Sequence, residues 1–109
     1  EYVGVVDSLE ILSCVDLFVY PARTIKDTMA IPLSILEALS VGTPAVSTDI
    51  GGVSEALSSR HIAKPGDYIS LYEAISRALK EKYLAAPPSK FLKKNVLPLY
   101  LKLYDTIAQ

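Results

Sequence analysis

Apolar and polar residues alternate along this chain in a way that predicts strands and helices in turn. Short apolar runs that end at turn residues predict buried strands, whereas apolar residues three or four apart predict the inner face of a helix. The predicted strands are residues 2–6, 17–20, 45–48 and 61–63. Helical spacing covers residues 9–15, 32–41, 54–57, 71–79 and 99–107. This alternation predicts an α/β fold, a doubly wound parallel sheet with helices on both faces.

The helix within residues 29–42 has a marked start and a marked end. Pro32 suits the first helical position because the N–H that it lacks has no partner there. Gly42 follows the last apolar residue and ends the helix. The N-terminus of such a helix binds anions, and Glu37 lies ~7 Å further along the axis, where a carboxylate can hold hydroxyl groups. On pattern alone, the interpretation of Glu37 as an exposed residue without a role is favoured over a binding role.

Two loops are predicted to meet at the carboxyl edge of the sheet, where ligands bind in such folds. They are residues 21–32 and residues 49–52. The second loop contains Gly51 and Gly52, which either make a tight turn or let the backbone approach a ligand closely. The convergence of the two loops predicts a binding site at this edge.

The remaining polar and reactive residues have weaker functional interpretations. Arg23 and Lys26, in the loop before the helix, either face a diphosphate or are solvated. His61, at the start of a strand, is interpreted as structural or exposed rather than catalytic. Cys14 lies among apolar residues and is interpreted as a small core residue.

Local signals also predict how the other helices begin and end. Asp7 or Ser8 is expected to cap the first helix, and Asp67 or Ser70 the helix at residues 71–79. Pro98 is expected to break or kink the last helix. The apolar residues of these two helices have core spacing; they are Leu71, Ala74, Ile75, Ala78, Leu79, Leu99, Tyr100, Leu103, Tyr104 and Ile107.

Composition narrows the classes of protein. The chain of 109 residues is one domain at most, and half of its residues are apolar, enough for a core. A net charge of −1 argues against a nucleic-acid surface. One cysteine and one histidine argue against a disulfide framework and against a metal site built from these residues. No apolar run approaches a membrane span, and the start at Glu1 within a strand pattern indicates a fragment of a longer protein.

A longer motif then becomes apparent. A strand at residues 17–20 ends at Pro21, and residues 32–55 read PLSILEALSVGTPAVSTDIGGVSE. Residues 63–67 read AKPGD before the next helix. This arrangement resembles the C-terminal, donor-binding domain of the group 1 glycosyltransferases, which are retaining GT-B enzymes of family 4. The resemblance covers most of the chain and implies a Rossmann-like, partial GT-B domain.

The resemblance implies roles for particular residues. Glu37 corresponds to the second glutamate of the E-x7-E motif, which binds the ribose hydroxyls of the donor. The backbone at Leu33 and Ser34 would meet the diphosphate, and Gly51 and Gly52 would line the same edge. The substrate would be a nucleoside diphosphate sugar such as a UDP- or GDP-sugar. No cofactor and no metal are implied, and the enzyme would be a retaining, hexosyl-type transferase of carbohydrate biosynthesis.

The chain departs from the motif at the first glutamate. Met29 stands there, and a methionine cannot make the hydrogen bonds of a carboxylate to the transferred sugar. Ala30 and Pro32 replace glycines of the motif, and Asp27 is two residues too far from Glu37. The catalytic residues are therefore unknown.

Further partners follow from the resemblance. The N-terminal acceptor-binding domain and the basic pair that neutralises the diphosphate are absent from this chain, so we expect it to be inactive alone. The full-length protein is expected to be cytoplasmic with peripheral membrane association. An unpaired strand at residues 2–6 would favour a dimer through strand addition.

Two alternatives stay open at this point. The first is a non-catalytic GT-B module that binds a nucleotide sugar or a partner protein, which the loss of a glutamate at Met29 would allow. The second is an unrelated doubly wound binding module of receiver or flavodoxin type. That alternative ranks last because the chain lacks the acidic cluster and lysine of a receiver.

Overall fold

The computed structural model describes residues 4, 7–24, 26, 30–81, 85–86 and 88–108 of the chain. The predicted strand at residues 2–6 lies, Gly4 apart, outside these residues, and so do Met29 and Asp27. The elements in chain order are α1 (Ser8–Ser13), β1 (Phe18–Tyr20), α2 (Leu33–Ser40), β2 (Ala45–Thr48), a 3₁₀ turn (Val53–Glu55), a second (Ser59–His61), β3 (Ile62–Ala63), α3 (Tyr68–Glu81), a third 3₁₀ turn (Ser89–Phe91) and α4 (Lys93–Ala108).

The described strands form one parallel sheet in the order β1-β2-β3. Val19 of β1 is opposite Val46 of β2, and Thr48 of β2 is opposite Ala63 of β3. The predicted α/β class and parallel pairing are confirmed. The strand order of this part of the sheet follows the chain, so the reversal that defines a doubly wound sheet stays a prediction.

Each face of the sheet is covered by helices. Consecutive strand residues point to opposite faces, and accordingly Ala45 and Val46 belong to different apolar clusters. On one face lie α1 and α2; the buried residues of that cluster are Leu12, Ile35, Ala38, Leu39, Ala45, Ile50, Val53, Leu57 and Ala85. On the other face lies α3, whose Ala74 and Ala78 pack with Val46 and Ala63.

Helix α2 is held by its buried face and by both of its ends. Ile35 is fully buried and Leu39 is 3% exposed. Gly42 adopts a φ of 84°, which a residue with a Cβ rarely adopts, and the Thr43 hydroxyl donates a hydrogen bond to the Leu12 carbonyl at 2.6 Å. The predicted position of Pro32 is off by one residue: its ψ of 127° is extended, so Pro32 is the N-cap.

Helix α3 is capped by Asp67, whose carboxylate accepts hydrogen bonds from the backbone N–H groups of Ile69 and Ser70 at 3.0 Å. The Ser70 hydroxyl accepts from the Lys64 N–H instead of capping the helix. The core assignment of Leu79 is wrong, because its side chain is 47% exposed.

Helix α4 differs most from the prediction. It continues through Pro98 from Lys93 to Ala108, so a break at Pro98 is wrong, whereas the alternative of a kink stays a prediction. Pro98 leaves the Lys94 carbonyl without its helical donor, and this carbonyl lies on an exposed part of the helix, where water can serve it. The core assignment of its apolar face is also wrong, since the following residues are more than half exposed: Leu99, Tyr100, Leu103, Tyr104 and Ile107.

Cys14 is also misassigned to the core. Asp7 caps α1 by accepting from the Leu9 N–H at 3.0 Å, and Cys14 follows the last turn as the C-cap. At that position the thiol is exposed, whereas Leu12, two residues earlier, faces the core. Apolar neighbours in sequence did not predict burial because the helix ends before Cys14.

Candidate functional site

The two loops predicted to converge do meet at the carboxyl edge of the sheet. The Thr48 hydroxyl at the end of β2 donates a hydrogen bond to the Ala22 carbonyl, just after β1. Beyond Thr48, the Gly52 N–H donates to the Ala30 carbonyl at 2.6 Å. The backbone before α2 is therefore bound directly to the loop after β2.

We call residues 49–52 the glycine turn; the protein's own packing requires a glycine at Gly51 and places the Ile31 side chain against Gly52. Gly51 has a φ of 51°, and a Cβ placed there would overlap the Ala30 carbonyl oxygen. A Cβ at Gly52 would lie 3.0 Å from Cγ1 of Ile31. Close approach thus occurs between two segments of this chain; approach of these glycines to a ligand stays a prediction.

The N-terminus of α2 follows directly from this contact. The N-cap Pro32 offers no side-chain hydrogen bond, and the first turn holds no acidic residue. Among the described residues, the N–H groups of Leu33 and Ser34 have no hydrogen-bond acceptor. Such donors carry the positive end of the helix dipole and suit an anion.

Glu37 is half-buried one turn further along α2 and is bound to another helix. The Ser8 hydroxyl of α1 donates a hydrogen bond to Oε2 of Glu37 at 3.0 Å. The Ser40 hydroxyl donates a hydrogen bond to the Glu37 backbone carbonyl at 2.6 Å. This hydroxyl therefore bonds to the backbone of α2 and not to the Glu37 carboxylate. Sequence reasoning did not find Ser8 as a partner of Glu37, because the two residues are 29 positions apart.

Glu37 lines a cavity of about 490 Å³ between α1, α2 and β1, which we call the α1–α2 cavity. Its polar side chains are Ser8, Ser34 and Glu37. The rest of the lining is Gly4 and the apolar residues Ile11, Leu12, Val15, Leu17, Phe18 and Val19. A mostly apolar cavity of this size with a few polar groups is typical of small-molecule sites.

Arg23 is not part of the α1–α2 cavity. It is exposed and lines a second cavity of about 280 Å³, together with Thr48 at the end of β2 and Tyr68 at the start of α3. Lys26 is also exposed. The described structure therefore does not bring Arg23 to Glu37, and a role of either cation toward a diphosphate stays a prediction.

The sequence of this region matches a known protein family. A family model described as "Glycosyl transferases group 1" matches residues 1–81, about three-quarters of the chain. The chain belongs to the group 1 glycosyltransferases. The match includes α2, the glycine turn and the carboxyl edge of the sheet. It also excludes the alternative of a receiver or flavodoxin module.

This group 1 glycosyltransferase chain is also similar to a curated protein, "Protein CapJ" from Staphylococcus aureus. The two are 28% identical over 81 residues, which is 74% of this chain and 20% of the relative. The chain therefore spans about a fifth of the length of the curated relative that it matches. A match of this extent does not establish which reaction the complete protein catalyses.

The charged cluster at His61 lies away from the carboxyl edge in this glycosyltransferase chain. Nε2 of buried His61 lies 2.9 Å from Oε2 of Glu81, and Nε of Arg60 donates to Oε1 at 2.7 Å. The hydrogen bond from Arg60, and secondly that from His61, lower the pKa of Glu81 below its usual value. These residues join the end of α3 to the segment before β3, at the opposite edge of the sheet, and this supports a structural role for His61.

Neither a metal cluster nor a membrane helix is found in the described part of the chain. No group of three or more histidine, cysteine, aspartate or glutamate residues there has the arrangement needed to hold a metal ion. No helix in that part is long and apolar enough to cross a membrane.

Proposed function

We propose that this chain supplies the donor-binding part of a retaining, GT-B glycosyltransferase of family 4. It binds a nucleoside diphosphate sugar, and the enzyme transfers the sugar to an acceptor held by an N-terminal domain. The proposal rests on one observation above all. Glu37 lies beside the α1–α2 cavity, ~6 Å along the helix from the open N–H groups of the first turn.

The chemistry of the donor fits this spacing. The N–H groups of Leu33 and Ser34 donate hydrogen bonds to the diphosphate, because a helix N-terminus favours anions. The Glu37 carboxylate accepts hydrogen bonds from the ribose hydroxyls, and the base enters the apolar part of the cavity. Gly51 and Gly52 hold the start of α2 beside the diphosphate. No metal or cofactor takes part in this proposal.

We further propose that this chain does not supply everything that sugar transfer requires. Developing charge on the leaving diphosphate must be neutralised, and much of the rate enhancement comes from such stabilisation. Neither Arg23 nor Lys26 lines the α1–α2 cavity. We therefore assign this charge stabilisation, and the acceptor site, to the rest of the enzyme, and propose that the chain alone binds donor without turnover.

Binding by calorimetry tests the proposal. UDP, GDP and their sugars are titrated into the wild-type chain, Glu37→Gln and the control Glu73→Gln, an exposed glutamate of α3. We expect one nucleotide to bind, and Glu37→Gln to weaken it about tenfold to a hundredfold, as loss of hydrogen bonds to a charged group does. The control should bind as the wild type does. Equal binding by Glu37→Gln, or no binding of any nucleotide, refutes the proposal.

A non-catalytic role is favoured by one observation, the methionine at residue 29 in the position of the motif's first glutamate. In that case the protein binds a nucleotide sugar without transferring it. Sugar transfer by the full-length protein, assayed as release of nucleoside diphosphate with Met29 in place, decides between the two. Turnover excludes the non-catalytic role, and binding without turnover supports it.

A further inference from the structure

The Ser8 hydroxyl contacts Glu37, the residue to which the proposed function assigns the ribose hydroxyls. Ser8 is the first residue of α1, and Glu37 lies in the middle of α2. The hydrogen bond of 3.0 Å between their side chains joins the two helices beside the α1–α2 cavity. Both residues line the cavity, and so does Ser34, one turn before Glu37.

The local structure of α1 does not explain why a serine stands at this position. Serine in the first turn of a helix usually bonds to nearby backbone. Here that task belongs to Asp7, whose carboxylate caps the helix through the Leu9 N–H. The Ser8 hydroxyl is therefore available to α2, and its removal leaves the cap of α1 in place.

The hydrogen bond restricts the Glu37 side chain. A carboxylate on a long, flexible side chain samples several rotamers, and ordering it on binding weakens affinity. With Oε2 bound to Ser8, the carboxylate is held against α1 before a ligand arrives. Within the described residues, Oε1 of Glu37 has no hydrogen-bond partner, so it is available to a donor from the ligand.

We propose that Ser8 is a positioning residue that orients Glu37, so that its second oxygen accepts a hydrogen bond from a hydroxyl of the ligand's ribose. This inference rests on the proposed function, since it takes a nucleoside diphosphate as the ligand of the α1–α2 cavity. Its consequence is specificity: Ser8 increases the preference for ribose over a sugar without vicinal hydroxyls. Ser8 lines the cavity, but it acts on the ribose through Glu37, so it is a positioning residue and not a catalytic one.

The test compares two ligands on two variants of nearly equal shape. Ser8→Thr keeps the hydroxyl and Ser8→Val removes it, and both side chains are β-branched. Dissociation constants for UDP and for 2′,3′-dideoxyuridine diphosphate, or for the guanine pair if GDP is preferred, are measured by calorimetry. We expect Ser8→Val to reduce the preference for the ribose ligand about threefold to tenfold, and Ser8→Thr to retain the wild-type preference.

A matched serine provides the control for unrelated effects on α1. Ser13 lies in the same helix, and its hydroxyl donates to the Glu10 carbonyl rather than to α2. Ser13→Ala should leave the preference unchanged. Midpoints of thermal unfolding for Ser8→Thr and Ser8→Val check that both variants are folded. A purely structural role of Ser8 would change these midpoints while the preference stays constant.

The outcomes separate this inference from the proposed function. If the wild-type chain binds no nucleotide, or binds the ribose ligand and its dideoxy analogue equally, both the role of Ser8 and the proposed role of Glu37 are overturned. A wild-type chain that prefers ribose, and loses the preference in Glu37→Gln but keeps it in Ser8→Val, overturns the role of Ser8 alone. Loss of the preference in Ser8→Val with recovery in Ser8→Thr supports it.

Discussion

Replacing Gly51 by alanine tests whether the glycine turn is held by packing against the segment before α2. Two features oppose a side chain at this position. The φ of 51° lies in the left-handed region, and a Cβ would overlap the Ala30 carbonyl oxygen. That carbonyl accepts the hydrogen bond from Gly52, so the overlap cannot be relieved without moving the contact itself.

The magnitude follows from these two features. A left-handed conformation costs a residue with a Cβ about 1–2 kcal/mol. Forcing an additional methyl group into packed surroundings costs about 1–3 kcal/mol more. Gly66 separates the two contributions: its φ is 76°, yet beyond its own chain neighbours no described atom lies within 4 Å of a Cβ built there. Gly66→Ala should therefore show the conformational cost alone, whereas Gly51→Ala should show both.

Urea unfolding of the two variants and the wild type measures the difference. The entropy that alanine removes from the unfolded chain is common to both variants and cancels in the comparison. We expect Gly51→Ala to be less stable than Gly66→Ala by about 1–3 kcal/mol. If Gly51→Ala fails to fold while Gly66→Ala folds, Gly51→Ala is again the less stable variant, as expected. Equal losses in the two variants would refute the claim that the turn is packed against Ala30.

Two further predictions concern α3. Asp67→Ala should lower the free energy of unfolding by about 1 kcal/mol, because two N–H groups lose their cap; urea unfolding measures this, and Asp67→Asn should restore most of it. The pKa of Glu81 is lowered in the folded chain from 4.5 by the hydrogen bond from Arg60, so its contribution to stability is present above pH 4.5 and is lost as the pH falls below that value. The urea midpoint between about pH 6 and about pH 3 should therefore fall more steeply in the wild type than in Glu81→Gln, and parallel curves would contradict this.

The fold was predictable where local signals and burial agreed. Strand β2 begins with the apolar residues Ala45 and Val46 and is bounded by Pro44 and the glycine turn. It is buried along its whole length, and its two polar residues, Ser47 and Thr48, donate hydrogen bonds to backbone carbonyls. The end of α2 was equally readable, because Gly42 adopts the left-handed conformation that only glycine adopts easily. The predicted helix position of Pro32 was off by one residue. Its fixed φ suits both the N-cap and the first helical position, and only ψ distinguishes the two.

The errors occurred where a residue's environment depends on distant parts of the chain. The apolar spacing of α4 predicts an inner face, but spacing alone does not say whether a partner surface is present. Cys14 was misassigned because the end of α1 was not apparent from its neighbours. The contact of Ser8 with Glu37 joins two helices across 29 positions, and no local pattern carries that information.

The contacts around α2 imply that folding and ligand binding respond differently to mutation. The start of the helix is held by backbone contacts of Gly52 with Ala30, so a change in the glycine turn should alter stability and nucleotide affinity together. Glu37 is held by one exposed hydrogen bond to Ser8, and glutamine keeps an oxygen that accepts it. Glu37→Gln should therefore weaken nucleotide binding while leaving the urea midpoint unchanged. If Glu37→Gln instead destabilised the fold as much as Gly51→Ala, then Glu37 would be a structural residue, and a second explanation for any loss of binding would be required.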